Sequence, residues 1–427
     1  MKIDFFSALS KPGYECLDFD DTSQLSQQQR QEVLPYVCKG LFLLLAAIDY
    51  KYSRIPADKR LRHDLYTWAQ DNLGHQFPQG GQSLEAIVQL AAESAEYFYA
   101  HCSHETKLIM AIGTSIMTLT DDDELLDPDE RNRLSSFCCN DGHSPPDATP
   151  WTAMLTHGLQ LNAEYLGSHD PLVGGLMANS YRLFVEACSI EYRMQSEMPF
   201  HLTSHTGPHP IDEECAVEAF PRNIRSTSGA PLFYICPIFK ISSTQEVPYK
   251  YWISLVPKVS EFISHLNDVF SCPKEILSGE TWNYLSLRTR TKRQAGRSSR
   301  FGSKLWTFRD SFCELLENMQ DTTLAVDRAF TSCISADANT SEQSGSSQDD
   351  PNAKLAAECW FAFRQNYISW HLQCKRYGLD GLDVERNTYT AEELCAPEYK
   401  PLHLAYAGAA AAFVLVTSAL SYSYSFI

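Results

Sequence analysis

Residues 267–275 read Asn-Asp-Val-Phe-Ser-Cys-Pro-Lys-Glu and carry three oxygen-bearing side chains at intervals of four residues. On an α-helix each step of four residues moves the side chain only about 40° around the axis. Asn267, Ser271 and Glu275 would therefore share one face. An amide oxygen, a hydroxyl and a carboxylate in a row suit a hard divalent cation, most naturally Mg2+. A solvated polar helix face is the alternative interpretation.

The segment before this stretch, residues 251–266, is largely apolar and weakens that alternative. It predicts that residues 267–275 end a buried helix, where polar groups need partners such as a metal. Lys274 could meet an anion that the metal carries. Pro273 has no backbone N–H, so we expect it to kink the helix or end it nearby.

Composition limits the class of protein. The chain has 427 residues, which is enough for one large domain or two moderate ones, and its net charge is −18. The negative charge argues against a nucleic-acid partner, because such proteins normally show a basic footprint. Fourteen cysteines without a CxxC pair, and an N-terminus without a secretory signal, predict reduced thiols in a cytoplasmic protein.

Apolar residues recur at helical spacing through most of the chain and predict an all-α fold around one central cavity. We expect a single α-helical domain over residues 1–398. Its first 35 residues, polar and rich in glutamine, predict a loose N-terminal arm. Residues 333–352, rich in serine, aspartate and glutamine, predict a disordered loop. Only residues 232–243 alternate in a way that suggests a strand.

The C-terminal tail, residues 401–427, contains no aspartate, glutamate, lysine or arginine. Its apolar part, residues 405–420, is near the minimum length for a membrane span. We expect a helix that packs on the body of the protein or on a partner subunit, which would make a homodimer. A membrane anchor is the less favoured alternative.

An acidic run follows the helix predicted over residues 106–120 and begins with Asp121, Asp122 and Asp123. Acidic side chains are unfavourable at the C-terminus of a helix, because the helix dipole is already negative there. A bound cation would explain them. A solvated loop, with Asp127 or Asp129 capping the next helix, is the interpretation that the run favours when it is taken alone.

Two basic features flank the metal stretch. Arg222 stands 45 residues before Asn267 and precedes residues 226–231, Ser-Thr-Ser-Gly-Ala-Pro, which should break a helix and free its carbonyl groups. Arginine suits phosphate oxygens, although an isolated arginine is more often a surface charge. Residues 283–300 hold six basic and no acidic side chains, and predict either a mobile loop over an anionic ligand or a solvated insertion.

The order of these features resembles that of a class I terpene synthase. The chain shows an acidic run at a helix end, an arginine at a helix break, the Asn/Ser/Glu face, and Arg376-Tyr377 after a late helix. Residues 267–275 match the family's second metal motif, Asn/Asp-Asp-x-x-Ser/Thr-x-x-(Lys)-Glu, in full. The resemblance covers roughly residues 80–380 and is greatest to the fungal trichodiene-synthase-like branch of sesquiterpene cyclases.

The resemblance implies a three-Mg2+ centre. Asn267, Ser271 and Glu275 would hold one ion, and the first residues of the acidic run, Asp121 and Asp122, would hold two more. The run does not fit the family's Asp-Asp-x-x-Asp pattern in any register, so the resemblance leaves open which of its carboxylates bind metal.

The resemblance also implies a diphosphate site and a cation pocket. Arg222 would sense the diphosphate, and Lys274, Arg376 and Tyr377 would bind its oxygens. The pocket beside them would be dry and aromatic, since aromatic faces stabilise cations. The aromatic candidates to line it are Phe184, Tyr192, Phe262 and Trp370.

The implied activity is that of an Mg2+-dependent sesquiterpene cyclase. Such an enzyme ionises farnesyl diphosphate to an allylic cation and cyclises it to a hydrocarbon, here trichodiene-like or humulene-like, with release of diphosphate. A chain-elongating prenyltransferase shares the fold, but would need a second Asp-rich motif in place of Asn, Ser and Glu. A non-catalytic helical scaffold, tethered by the C-terminal tail, is the other alternative.

Overall fold

The computed structural model describes residues 2–74, 82–121, 126–139, 149–196, 216–302, 305–339 and 350–379. Within these ranges the fold is all-α, as predicted, with fourteen α-helices and one small antiparallel hairpin of β1 (Lys240–Ser242) and β2 (Gln245–Glu246). The helices, in chain order, are α1 Phe5–Ala8, α2 Gln27–Ala47, α3 Lys59–Leu73, α4 Gln82–Phe98, α5 His104–Asp121, α6 Pro128–Cys139, α7 Pro150–Leu166, α8 Pro171–Ser196, α9 Ala216–Ser228, α10 Pro231–Ile235, α11 Val256–Ser278, α12 Tyr284–Gln294, α13 Phe308–Asn339 and α14 Pro351–Gln373.

Helix α11 is central to the fold and carries the metal stretch. It packs against α2, α10 and α13. Its middle is buried on several sides, as its apolar sequence predicted, and Phe262, Leu266 and Phe270 are fully enclosed. The helix ends at Gly279, whose φ of 74° lies in the left-handed region that glycine favours.

Proline 273 does not end α11. The helix continues to Ser278, so the expectation of a helix end near Pro273 is wrong. A proline inside a helix removes one backbone hydrogen bond. Here Val269 and Ile276 are buried on either side of it, and their packing holds the following turn in place. Glu275 therefore remains on the same helix as Asn267.

The N-terminal segment is packed rather than loose, so that prediction is also wrong. Phe5 and Leu9 are fully buried. The backbone N–H of Ile3 donates to Oε1 of Gln320 at 2.7 Å, and Arg309 pairs with Asp18 at 2.6 Å. A few apolar residues among polar ones are enough to dock the segment on α13, a pairing that sequence periodicity cannot detect.

Three further predictions concern the remaining segments. Residues 232–243 form α10, a short 3-10 turn and β1, so only their end is a strand. Helix α13 runs to Asn339, so residues 333–339 of the predicted disordered loop are helical, and residues 340–349 lie outside the described ranges. The tail at 401–427 also lies outside them. Of the helices that are described, none is long and apolar enough to cross a membrane.

Candidate active site

The predicted helix break is present between α9 and α10. Helix α9 ends at Ser228, Ala230 adopts a φ of 40°, and Pro231 begins α10. Gly229 lies against α11 so closely that a Cβ there would sit 2.7 Å from Oγ of Ser264. The small residue at the break thus lets the C-terminal end of α9 approach the metal helix.

A cavity lies beside this break. Residues of α4, α5, α8, α9, α10, α11 and α14 contribute to its wall, together with Gly229 and Ala230 of the break itself. Its aromatic lining consists of Phe98, Phe184, Tyr234, Tyr367 and Trp370. The structure therefore brings Phe184 and Trp370 to the cavity, as expected for a pocket that receives a cation.

The other two aromatic candidates pack elsewhere. The ring of Phe262 contacts that of Trp360 in the core, with centroids 5.1 Å apart. Tyr192 carries the guanidinium group of Arg131 over its face, 5.1 Å from the ring centroid.

Asn267 lies at the cavity wall and is the most highly connected residue of the predicted metal set. Its Oδ1 accepts a hydrogen bond from Nη2 of Arg225 at 2.6 Å. Its Nδ2 donates to the hydroxyl of Tyr377 at 2.9 Å and lies 3.3 Å from Nε2 of His371. The structure thus joins two residues that the sequence placed in the site, Asn267 and Tyr377, through a direct hydrogen bond.

The arginine that reaches this network is Arg225 and not Arg222. Arg225 is buried, and its Nε donates to Oδ1 of Asp268 at 2.7 Å. Arg222, one turn earlier on α9, is exposed. Its positive charge still acts on the nearby imidazole of His265. The structure therefore does not bring Arg222 into contact with Asn267, and the role predicted for Arg222 remains a prediction.

Asp268 was not predicted to have a role and is the ion-pair partner of Arg225. Burial and, to a lesser extent, the charge of Glu275 raise the pKa of its carboxyl group to about 7, against the opposing effect of Arg225. Its second oxygen, Oδ2, is buried and has no hydrogen-bond partner. A cation beside this oxygen would satisfy it and restore the ionised form.

Ser271 and Glu275 follow Asn267 along the buried face of α11. The hydroxyl of Ser271 donates to the backbone carbonyl oxygen of Asp268 at 3.4 Å. Burial raises the pKa of Glu275, and the charge of Lys274 partly offsets that rise. Lys274 is half-buried, and burial lowers the pKa of its ammonium group. The predicted trio thus shares one face of one helix, as its spacing required.

Acidic and basic side chains lie near one another at the end of α11, and Glu280 is one of them. Burial and the charge of Glu275 raise its pKa to about 8, and its Oε1 is buried without a hydrogen-bond partner. Arg376 and Asp121 both act electrostatically on Lys274. The structure therefore brings the end of α5, the end of α11 and the turn after α14 to one place.

Asp121 is the last residue of α5 and accepts a hydrogen bond from Sγ of Cys188 at 3.5 Å. Asp122 lies outside the described residues, so nothing here tests its predicted role. Within the described ranges, no group of three or more histidine, cysteine, aspartate and glutamate side chains is arranged as a complete metal site.

The donors that are described nevertheless fit Mg2+. They are oxygen atoms, which this ion prefers. Burial raises the pKa values of Asp268, Glu275 and Glu280, and the charge of Glu275 adds to the rise at Asp268 and Glu280; a divalent cation would relieve both effects. The unpartnered oxygens of Asp268 and Glu280 are the structural observation behind this fit.

The basic segment at residues 283–300 is neither a mobile loop nor a solvated insertion over most of its length. Residues 284–294 form α12, with the buried Arg288 paired to Glu314 at 2.8 Å. Arg297 and Lys292 both pair with the buried carboxylate of Glu218 on α9, at 2.6 Å and 3.0 Å. These basic side chains therefore form ion pairs that connect helices of the fold, and they are not held in reserve for a ligand.

Comparison with known proteins adds two relationships. No protein-family model matches the chain. Terpene synthase BipA of Cochliobolus sativus is 24% identical over 283 residues, which span 66% of this chain and 71% of that protein. The crystal structure of the linalool/nerolidol synthase of Streptomyces clavuligerus aligns with a TM-score of 0.52 at 11% identity, over 75% of this chain and 99% of that one.

These findings agree with the order of motifs in the sequence. The solved structure shows that the fold is shared, and BipA is similar in sequence over two thirds of the chain. Neither tests the trichodiene-synthase-like branch, which stays a prediction. The chain thus has the fold of a terpene synthase and is similar in sequence to one, in agreement with the resemblance that its acidic run, helix break and Asn/Ser/Glu face carry.

Proposed function

We propose that this chain is a terpene synthase, and specifically an Mg2+-dependent sesquiterpene cyclase that ionises farnesyl diphosphate and cyclises the resulting cation with release of diphosphate. The observation that carries the proposal is a juxtaposition. A buried cluster of Arg225, Asn267 and Asp268 adjoins a cavity with an aromatic lining. One side can bind an anion with its metal ions, and the other can enclose an apolar cation.

The charged side accounts for ionisation. Asn267, Ser271 and Glu275 would hold one Mg2+, and Asp121 would contribute to the other ions expected from the resemblance. Bound Mg2+ would supply positive charge that stabilises the departing diphosphate. Arg225 is buried beside these donors, so its guanidinium acts at low dielectric, where a fixed charge has its greatest effect on developing charge.

Lys274 and Arg376 extend this positive region. Burial lowers the pKa of Lys274, and an anionic partner would favour its charged form. Arg376 acts electrostatically on both Lys274 and Glu275. Arginine offers a planar pair of donors to phosphate oxygens, and lysine a single point charge, so the two would hold the diphosphate in different ways.

The aromatic side accounts for cyclisation. Phe98, Phe184 and Trp370 line a cavity between seven helices. Aromatic faces attract cations, and exclusion of water protects a carbocation from premature capture. The choice of a C15 substrate, and of a trichodiene-like or humulene-like hydrocarbon as product, comes from the resemblance.

The test is incubation of the full chain with Mg2+ and farnesyl diphosphate, read by gas chromatography with mass detection. A cyclic C15 hydrocarbon that disappears when EDTA is added supports the proposal. A longer diphosphate, formed only with added isopentenyl diphosphate, would instead indicate a chain-elongating prenyltransferase. Absence of turnover with C10, C15 and C20 diphosphates would contradict the proposal.

A further inference from the structure

His371 is a buried residue of α14 that has no role in the predicted site. It is fully enclosed. Its ring lies among four aromatic side chains, with centroid distances of 4.5 to 5.1 Å; these neighbours are Phe270, Tyr367, Trp370 and Tyr377. An aromatic enclosure of this kind disfavours a charged ring. The ring is therefore neutral at neutral pH.

The hydrogen bonds of the ring fix its tautomer. Nδ1 lies 2.8 Å from the backbone carbonyl oxygen of Tyr367. A carbonyl oxygen can only accept, so Nδ1 of His371 must carry the hydrogen. In a neutral imidazole Nε2 is then a bare acceptor. This acceptor faces the side-chain amide of Asn267, with 3.3 Å between Nε2 and Nδ2.

The amide of Asn267 could adopt two orientations that differ by exchange of its oxygen and nitrogen. The hydroxyl of Tyr377, 2.9 Å from Nδ2, can donate or accept, so it permits either orientation. Nε2 of His371 can only accept, and the guanidinium of Arg225 can only donate. Exchange would place Oδ1 against the lone pair of Nε2 and the NH2 group against Arg225, and both contacts would be repulsive.

We propose that His371 is a positioning residue that holds the amide of Asn267 with its oxygen directed away from α14, toward Arg225 and the metal-binding side. The inference rests on the proposed function, because the orientation of the Asn267 amide affects metal affinity only if its oxygen binds a metal. His371 acts through Asn267 and does not itself bind the metal. Residues that support a metal ligand in this way typically contribute about 10- to 100-fold to metal affinity or activity.

The test compares three variants of the full chain by their affinity for Mn2+, a paramagnetic substitute for Mg2+, measured by electron paramagnetic resonance with inorganic diphosphate present. H371F keeps a buried ring but has no acceptor, and we expect its affinity to fall about tenfold or more. H371Q can place an amide oxygen near the position of Nε2, so it should retain most of the affinity. The matched control is H265F, which removes a different buried neutral histidine, His265 on α11. This variant should bind Mn2+ as the wild type does.

Circular dichroism and thermal melting establish that each variant folds. If folded H371F bound Mn2+ as tightly as the wild type, or if H371Q were as weak as H371F, the positioning role would be refuted. Should H371F not fold, the comparison of H371Q with H371N decides, since the shorter side chain cannot place its oxygen near Nε2. A loss of affinity in H371N alone supports the role, and equal affinities overturn it.

A second measurement does not depend on the proposed function. In protein with 15N-labelled histidine, the resonances absent from H371Q identify the ring, and their shifts should show hydrogen on Nδ1 and none on Nε2. Hydrogen on Nε2 would overturn the inference even if the enzyme is a sesquiterpene cyclase. Wild-type protein that binds no Mn2+ with diphosphate but shows the expected tautomer would instead contradict the metal-dependent function.

Discussion

Arg225 and Arg222 form a natural pair for an experiment, because they lie one turn apart on the same helix and differ in burial. Arg225 is buried and hydrogen-bonds both Asn267 and Asp268, whereas Arg222 is exposed. We predict that R225M abolishes most turnover of farnesyl diphosphate and that R222M, which removes the same charge, leaves turnover close to that of the wild type.

The size of the effect follows from the contacts. Arg225 makes hydrogen bonds of 2.7 Å and 2.6 Å, and each bond to a charged group contributes about 1.5 to 3 kcal/mol. Asp268, with a pKa of about 7, can take up a proton when Arg225 is removed. The loss of folding stability in R225M should therefore lie near the lower end of the range for two such bonds, about 3 kcal/mol in total. Loss of a preorganised donor at developing negative charge typically costs about 10²- to 10³-fold in rate.

The assay measures kcat/KM with Mg2+ and farnesyl diphosphate, with urea denaturation of the same preparations. We expect R225M to lose about 100-fold or more in kcat/KM, and R225K to lose almost as much, since lysine cannot make the two bonds at once. If R225M retained turnover while R222M lost it, the diphosphate-sensing role would belong to Arg222, as the spacing from Asn267 predicted. Equal losses in both variants would refute the assignment by burial.

Three further outcomes are expected. N267A and E275A should each abolish turnover while the helical circular dichroism survives; retained activity in both would contradict the metal assignment. G229A should destabilise the fold by about 1 to 3 kcal/mol, since its Cβ would meet Oγ of Ser264 at 2.7 Å. Adding S264A to this variant should restore part of the lost melting temperature. An unchanged melting temperature in G229A would show that Ser264 can move aside at no cost. The pKa of His265, lowered to about 3 by burial and nearby arginines, lies below its unfolded value of 6.5. Stability from the neutral ring is therefore complete above pH 6.5 and falls as pH decreases, so from pH 7 to pH 5 the wild type should lose about 2 kcal/mol relative to H265F in urea denaturation; parallel pH profiles would contradict this.

The helical core was predictable because its signal is periodic and local. Residues 256–278 combine buried apolar side chains with oxygen donors at intervals of four, and they fold as the single helix α11. The docked N-terminus was not predictable, since Ile3 and Asp18 contact residues about 300 positions away. The effect of Pro273 was misjudged for a related reason. The hydrogen bond that proline removes can be read from the local sequence, but the packing that outweighs this loss involves residues far away in the chain.

The site residues that sequence reasoning missed share another cause. Asp268 stands within the recognised stretch, but it points about 100° away from Asn267 around the helix, so a search along the face of Asn267 passes over it. Glu280 lies just past the end of α11 at Ser278, and the helical period stops before it. His371 could be recognised only through its contact with Asn267 on another helix, α11.

Arg225 shows why the sequence did not reveal which side of α9 is buried. The buried positions of α9 include Glu218, Pro221, Arg225 and Ser228, which follow helical spacing along one seam. In an ordinary core helix such a seam is apolar, and hydropathy would reveal it. Here three of the four side chains are polar, because Glu218 pairs with α12 and Arg225 with α11. Local rules fail where a buried face serves function rather than packing, so a basic residue on that seam is better identified by its spacing from a helix break than by hydropathy.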